Sequence, residues 1–331
     1  MTFAEQHESG EAVSAGGGSA RSGKRLFGGA RSGLRIWWLG AFITAFWLGC
    51  VAAGITAAVA PNVNTASGGA LPSAGPSISI VSPRPRGLYG LLSGVTARFR
   101  CGEGGTTARI ATCTGALANG HAIDESTPGS KTFTVTATDT AGNTMTKTVH
   151  YTVLAYTNPL REVRRLHRRR IDQGVDYAGS GPILALGSGK VIKATNKDPG
   201  WLDDGVVVYR LSRGLFAGRY VYVSENITVS VKAGQTVRAG EKIATLHDAY
   251  PYMETGWAAG KGDKTLARVD RHWCRPCSDV GDWSTIEGRN FDRLLVVLGA
   301  PSGYLQPNLP KQRMPTGWPR TRFPEIGRAH V

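Results

Sequence analysis

The sequence is short of acidic residues and of charge in general. Asp and Glu number 24 against 39 Lys and Arg, so the net charge is +15, and 19% of the 331 residues are charged against 41% that are hydrophobic. This balance excludes a disordered chain, and 44 Gly with 17 Pro indicate a turn-rich, β-rich globular protein. The length is enough for two domains with cores of their own. Basic clusters can also bind nucleic acid, a question that the compartment decides.

One long segment lacks charge altogether. Residues 36–60, IWWLGAFITAFWLGCVAAGITAAVA, are long enough to span a bilayer as a helix. Basic residues precede this run and a neutral stretch follows it, so the positive-inside rule places the tail 1–34, which we expect to be disordered, in the cytoplasm. The later domains are then extracytoplasmic on a single-pass membrane anchor. Cleavage of a signal peptide near Ala60, with secretion, is the alternative. Either topology excludes nucleic acid as a partner.

Cysteine is scarce, with five in the chain. Four of them form two close pairs in the part predicted to be extracytoplasmic, where disulfides persist: Cys101 with Cys113, and Cys274 with Cys277. We expect both pairs to form disulfides. For the second pair a C-x-x-C redox role stays open, whereas a zinc site with His272 would lack a fourth ligand.

Residues 61–76 form a linker of small residues. Over 77–155, apolar residues recur at every second position. In KTFTVTATDTAGN, Phe133, Val135 and Ala137 alternate with threonines, which predicts a half-buried strand that ends in a turn. Several short strands at this spacing predict a β-sandwich. The segment resembles bacterial Ig-like and hyalin-repeat modules. It has no aromatic or charged cluster, so we interpret it as a spacer rather than a ligand-binding module.

Two basic segments flank the second domain. Residues 156–170 contain NPLREVRRLHRRR, which predicts a short basic helical connector that starts at Asn158 and could bind anionic wall polymers. Residues 301–331 predict a loosely ordered, Pro-rich tail. Its last seven residues, EIGRAHV, are what a common sequencing adapter would encode, so residues 325–331 are expected to be an artefact.

Residues 171–300 are β-rich again and end in a predicted helix on Phe291, Leu294, Leu295 and Leu298. The segments IDQGVDYAG, ALGSGKVIKA, GRYVYVSEN, VKAGQTVRAGEKIATL and YMETGWA follow the order of motifs in LytM/lysostaphin-type zinc endopeptidases, which cut peptide cross-links in bacterial cell walls. The resemblance implies an all-β barrel-sandwich hybrid, also called a duplicated hybrid motif. The predicted architecture is therefore a transmembrane helix, an Ig-like sandwich and a LytM-like domain.

The resemblance does not extend to the metal ligands. The family holds zinc with the His and Asp of R-x-H-x-G-x-D and with the second His of H-x-H. Here only Asp176 matches, because Asp172 stands at the first histidine and Glu254 at the last. The first His of H-x-H falls at Tyr252. The His of the Y-x-H-L motif falls at about Ser224, and a shift of one residue would place Glu225 there.

The substituted residues predict a different chemistry. Three carboxylates at one point form a hard, anionic site that favours calcium or magnesium over zinc, and their mutual repulsion would raise at least one pKa. The imidazoles that would move protons in peptide hydrolysis are missing. We therefore expect no cofactor, or at most a divalent cation, and no zinc peptidase activity.

Three functions remain open for the second domain. It could be a degenerate module that binds peptidoglycan or an envelope protein, with Tyr252 and Trp257 stacking on the ligand unless they belong to the core. It could be a hydrolase of wall glycan or peptide that uses a carboxylate-rich site, with Glu225, Glu254 and His247 as catalytic candidates. It could also be a purely structural surface element.

Overall fold

The structure, a computed structural model, describes residues 75–105, 108–202, 204–260, 264–273, 283–306, 311–320 and 323. The predicted cytoplasmic tail, anchor and most of the linker lie outside these residues, as do Cys274, Cys277 and the last eight residues of the tail. Across the described ranges, no helix is long and apolar enough to cross a membrane.

Residues 75–155 form six strands in two sheets. The strands are β1 (Ser77–Ser82), β2 (Gly87–Tyr89), β3 (Arg98–Gly102), β4 (Ile110–Gly115), β5 (Gly129–Asp139) and β6 (Thr144–Val153). β1 pairs with β3, and the other sheet has the order β2-β6-β5-β4. Apolar residues of both sheets share one core, which includes Ile78, Phe99, Phe133 and Val149. The alternation seen in the sequence thus produces the predicted half-buried strands.

A disulfide between Cys101 and Cys113 joins the two sheets of this module. Cys101 lies on β3 and Cys113 lies on β4, which belong to different sheets. The first of the two predicted disulfides is therefore confirmed, and it closes the open side of a small core.

The rest of the described chain forms a large curled sheet with short helices. Its strands are β7 (Arg164–Ile171), β8 (Val175–Leu184), β9 (Gly189–Asp198), β10 (Asp204–Leu211), β11 (Tyr220–Ser224), β12 (Ile227–Val229), β13 (Thr236–Val237), β14 (Lys242–Leu246), β15 (Met253–Ala259), β16 (Lys264–Thr265) and β17 (Tyr304–Leu305). The helices are a 3-10 turn (Pro199–Trp201), α1 (Leu266–Val269) and α2 (Ile286–Val297). The main path of the sheet is β12-β14-β8-β15-β11-β10-β9-β13, and β7 lies between β8 and β17.

The predicted helical connector before this sheet is wrong, whereas the predicted final helix is confirmed as α2. Asn158 does not cap a helix: its side-chain oxygen accepts a hydrogen bond from the backbone N–H of Leu160, two residues on, at 2.9 Å. The basic residues that follow form β7, which pairs with β8. Here the pairing with the next strand of the chain overrides the local helix pattern.

Trp257 belongs to the core of the large sheet. Its side chain is fully buried against Phe216, Phe291 and Trp318, and its indole N–H donates a hydrogen bond to Asn290 at 2.9 Å. A ligand cannot reach this ring. Of the two readings that the sequence left open, stacking on a ligand is therefore wrong for Trp257, because the inward face of β15 is covered by α2.

We expect the double substitution Cys101→Ser/Cys113→Ser to destabilise the two-sheet module formed by residues 75–155. Its free energy of unfolding should fall by about 2–4 kcal/mol, since the disulfide closes a short loop in the unfolded chain. Calorimetry of the protein and of the variant measures the change. The control is Thr114→Ser, at an exposed position on β4, which should leave the transition in place. An unchanged transition in the double variant would contradict the prediction.

Candidate functional site

Three neighbouring strands of the large sheet bring the candidate residues together. Asp172 lies in the turn between β7 and β8, and Asp176 is the second residue of β8. On β15, Glu254 is directly opposite Asp176, and on its other side it pairs with Ser224 at the end of β11. This register places side chains from distant parts of the sequence at one end of the sheet.

The turn that carries Asp172 requires a glycine at position 174. A Cβ on Gly174 would lie 2.6 Å from the carbonyl oxygen of Thr255 and would also collide with the hydroxyl of Tyr222. The backbone of the turn can approach β15 this closely only without a side chain. The Gly174 N–H donates to Asp172 Oδ1 at 3.1 Å, which fixes the carboxylate above the sheet.

The carboxyl groups of Asp172, Asp176 and Glu254 converge on one point. One oxygen atom from each lies within 4.8 Å of the others, and the three residues are at most 6% exposed. The aligned positions therefore do meet in space. Their convergence makes a concentrated negative charge that the protein must compensate.

Arg170 supplies that compensation. Its Nε donates to Asp176 Oδ2 at 2.9 Å, and its Nη2 lies 3.0 Å from Asp172 Oδ2. The guanidinium thus lies between two of the three carboxylates: it donates a hydrogen bond to Asp176, and its contact with Asp172 Oδ2 is an ion pair without hydrogen-bond geometry. The sequence interpretation overlooked this role, although Arg170 is the Arg of the R-x-H-x-G-x-D pattern.

Glu254 is held by neutral donors. Tyr222 donates its hydroxyl to Glu254 Oε1 in a short hydrogen bond, and the Gln173 amide donates to Oε2 at 3.1 Å. The Gln173 carbonyl oxygen in turn accepts from Thr265 at 2.8 Å and from Arg268 Nε at 3.1 Å. Both oxygens of this buried carboxyl are therefore engaged, and the network ties β15 to α1.

Burial raises the pKa of every acid in this group. Loss of solvation raises the pKa of Asp172. The pKa values of Asp176 and Glu254 are raised well above their usual values, first by loss of solvation and then by the neighbouring carboxylates. The positive charge of Arg170 lowers the pKa of both aspartates but does not cancel the effect of burial. Burial and mutual repulsion therefore both favour the neutral form of these carboxyl groups.

The donor set does not fit the zinc ion that the family resemblance implies. Zinc sites of this class use neutral imidazoles, which bind the metal without accumulating negative charge, and the cluster offers three carboxyls. A guanidinium also stands within 2.9–3.0 Å of two of the oxygens that a metal would need. A hard cation such as calcium or magnesium could bind only after Arg170 moved away from both aspartates.

A cavity of about 470 Å³ opens in front of the cluster. Its wall combines Asp172, Asp176 and Glu225 with basic and aromatic side chains: Arg169, Arg170, Arg268, Tyr250, Tyr252, Trp273 and Tyr304. The Arg169 guanidinium lies 4.4 Å from the centre of the Tyr252 ring. Such a wall suits a ligand that carries both carboxylates and flat or apolar surfaces.

Glu225 reaches the same cavity, whereas His247 does not. Burial, with the charge of Asp172 as the next cause, raises the pKa of Glu225 to about 7. His247 is exposed, and its Nε2 is 2.7 Å from the hydroxyl of Thr228 on β12. The interpretation of His247 as a catalytic candidate is therefore wrong, since it does not line the cavity. Ser224 is fully buried next to Glu254 on the sheet.

Residues 170–256 match the sequence profile of Peptidase family M23. This segment is therefore an M23 domain of the LytM/lysostaphin type, as the sequence motifs predicted. No curated protein sequence matches the chain.

Solved structures with similarity to the chain include three bacterial proteins. A putative peptidase M23 from Pseudomonas aeruginosa is 18% identical with a TM-score of 0.25, covering 41% of this chain and 70% of that one. Lysostaphin from Staphylococcus simulans is 16% identical with a TM-score of 0.27, covering 35% and 52%. A zinc containing peptidase from Vibrio cholerae is 17% identical with a TM-score of 0.23, covering 38% and 46%. The chain thus spans about half the length of the last two, and such values say nothing of its activity.

The raised pKa values predict that the M23 domain loses stability as pH rises. Acids with a higher pKa in the folded state bind more protons there than in the unfolded chain, so their effect is most favourable at low pH. For Glu225 the loss of stability falls between pH 4.5, the ordinary pKa of its side chain, and about pH 7, its pKa in the folded protein. We expect the unfolding midpoint in urea to fall across this pH range. The midpoint of the Glu225→Gln variant should fall less. An equal slope in both proteins would contradict the assignment.

Removal of Arg170 should convert the cluster into a divalent-cation site. In Arg170→Met the buried carboxyls lose their positive neighbour, so millimolar calcium is expected to raise the melting temperature of the variant by several degrees, since a ligand of the folded state stabilises it. The wild-type protein should respond less. The matched control is Arg164→Met, an exposed arginine on the same strand. A calcium response that is the same in all three proteins would rule out this role for Arg170.

Proposed function

We propose that the chain is a cell-envelope protein whose M23 domain binds peptidoglycan without cleaving it. The observation that carries this proposal is the bridge from Arg170 to Asp172 and Asp176, at 3.0 and 2.9 Å. A cation of the protein itself lies between the two aspartates, and none of the described residues that line the cavity is a histidine. The domain is thus a degenerate M23 module, with the scaffold of a wall hydrolase and without its metal chemistry.

The cavity wall supports a wall peptide or amino sugar as the ligand. Arg169 and Arg268 can pair with carboxylates of a peptide stem, and Tyr252 offers a ring for stacking on a sugar or a flat peptide segment. The exposed Arg164, Arg165 and Arg168 of β7 add basic groups that could contact anionic wall polymers. An envelope protein with an acidic, aromatic-rich segment would fit the same wall.

The remaining parts of the chain are assigned roles that agree with this function. The run 36–60 is the membrane anchor, or a signal peptide cleaved near Ala60, and it leaves the later domains outside the cytoplasm. The module 77–155, which resembles Ig-like repeats, is a spacer that holds the M23 domain away from the membrane. Its disulfide is consistent with that oxidising location.

A second candidate function is hydrolysis of wall glycan or peptide by carboxyl groups. The observation in its favour is Glu225, which lines the cavity with a pKa of about 7, a value suited to a general acid. Its partner would be an ionised member of the buried cluster. We rank this function second because the aspartates of that cluster are already engaged by Arg170.

Sedimentation with purified peptidoglycan sacculi tests the proposal. The extracytoplasmic part of the protein is expected to pellet with the sacculi in the presence or absence of EDTA, and to release no soluble fragments. The variants Tyr252→Ala and Arg268→Ala should each weaken binding about tenfold, because each removes one contact worth roughly 1–2 kcal/mol.

The matched control is His247→Ala, which removes an exposed side chain outside the cavity and should bind as the wild type does. Release of fragments that is abolished by Glu225→Gln would favour the hydrolase instead. Failure of the wild-type protein to pellet would reject peptidoglycan as the ligand.

A further inference from the structure

A second group of metal-binding side chains lies apart from the carboxylate cluster. Asp270 directly follows α1, His272 is two residues further on, and Glu287 lies in the first turn of α2. One potential ligand atom of each residue lies within 4.8 Å of the other two. Ligands that surround a single zinc ion are separated by about 3–4 Å, so small side-chain movements would bring these three to the right distances.

Two oxygen atoms of this group are buried and unpaired among the described residues. Glu287 is fully buried, and its Oε2 has no hydrogen-bond partner; the same is true of Asp270 Oδ2. The other carboxylate oxygen of Glu287 is 2.7 Å from His272 Nδ1. Buried carboxylate oxygens without a partner are costly, and a bound cation is one of the few things that compensates them.

The backbone around His272 is held in place without any metal. Its N–H donates to the carbonyl of Ala267 at 2.8 Å, and its carbonyl accepts from the Trp283 indole at 3.1 Å and from Gln312 at 3.3 Å. The N-cap Thr285 fixes the start of α2, because its hydroxyl accepts from Gly288. The side chains of the group therefore extend from anchored segments, as a preorganised site requires.

We propose that Asp270, His272 and Glu287 bind one zinc ion. An imidazole with two carboxylates is a donor set that suits zinc, and three protein ligands leave a fourth position for water. The set differs in kind from the Asp172, Asp176 and Glu254 cluster, which has no imidazole and contains its own guanidinium. The chain thus has a transition-metal site away from the position that the family resemblance indicates.

The site would connect α1 and α2 behind the cavity wall. Trp273, the residue after His272, lines the cavity, and the N–H and hydroxyl of Thr285 both donate to the carbonyl of Asp172, at 2.9 and 2.7 Å. A metal at this place would fix both helices against the turn that carries the carboxylate cluster.

Metal stoichiometry measures the proposal directly. The full-length protein is loaded with zinc, dialysed, and analysed by plasma mass spectrometry. One zinc per chain is expected, with a rise in melting temperature that calcium does not reproduce. His272→Gln should retain less than a tenth of a zinc per chain while its circular dichroism stays unchanged. Glu287→Gln is the second variant, and it should lose the ion as well.

The controls separate this site from other ligands in the chain. Asp176→Asn, in the carboxylate cluster, and His247→Ala should both keep one zinc. The double variant Cys274→Ser/Cys277→Ser should keep it too, because the three proposed ligands contain no thiol. Loss of zinc in the folded double cysteine variant, retention of zinc in His272→Gln, or absence of zinc from the wild-type protein would each overturn the proposal. If the wild-type protein contains no zinc, the contact between His272 and Glu287 is an ion pair only.

Discussion

The structure of the site depends on the burial of three carboxyl groups at one point. Taking even one such charge out of water is costly, and their mutual repulsion adds to that cost. The chain meets this constraint with the guanidinium of Arg170 and the neutral donors Tyr222 and Gln173, and the pKa values of the buried acids are raised. These contacts allow three carboxyl groups to be buried together at one end of the large sheet.

Much of the site follows from the sequence because the motifs set the register of β8 and β15. Once residues 171–179 and 252–258 are aligned with the family, Asp176 and Glu254 become neighbours across a strand pair, and the structure pairs them. Gly174 is similarly readable as a place where the backbone of the turn approaches β15 closely. Local patterns also predicted α2 and the threonine-rich strands, because these periods depend only on which face is buried.

The parts that the sequence did not predict depend on strand pairing and on packing against other elements. Arg170 looks like one more arginine in a basic run, and only the pairing of β7 with β8 directs it towards the aspartates. Trp257 and Tyr252 lie five residues apart, yet α2 covers the first and leaves the second in the cavity wall. His247 is near Glu254 in sequence and ends on an exposed loop, hydrogen-bonded to β12. Residues that are close in sequence need not be close in space where the chain reverses direction between them.

One edge of the sheet carries a consequence for how such a protein can change over evolution. β17 returns in parallel to β7, and Tyr304 and Gln306 close the cavity together with Trp273 and Arg268, all from beyond the segment 170–256 that defines the family match. Residues beyond the matched segment thus contribute part of the rim of the cavity. Selection can therefore reshape the rim, and with it the choice of ligand, while the strands that make the protein recognisable stay as they are.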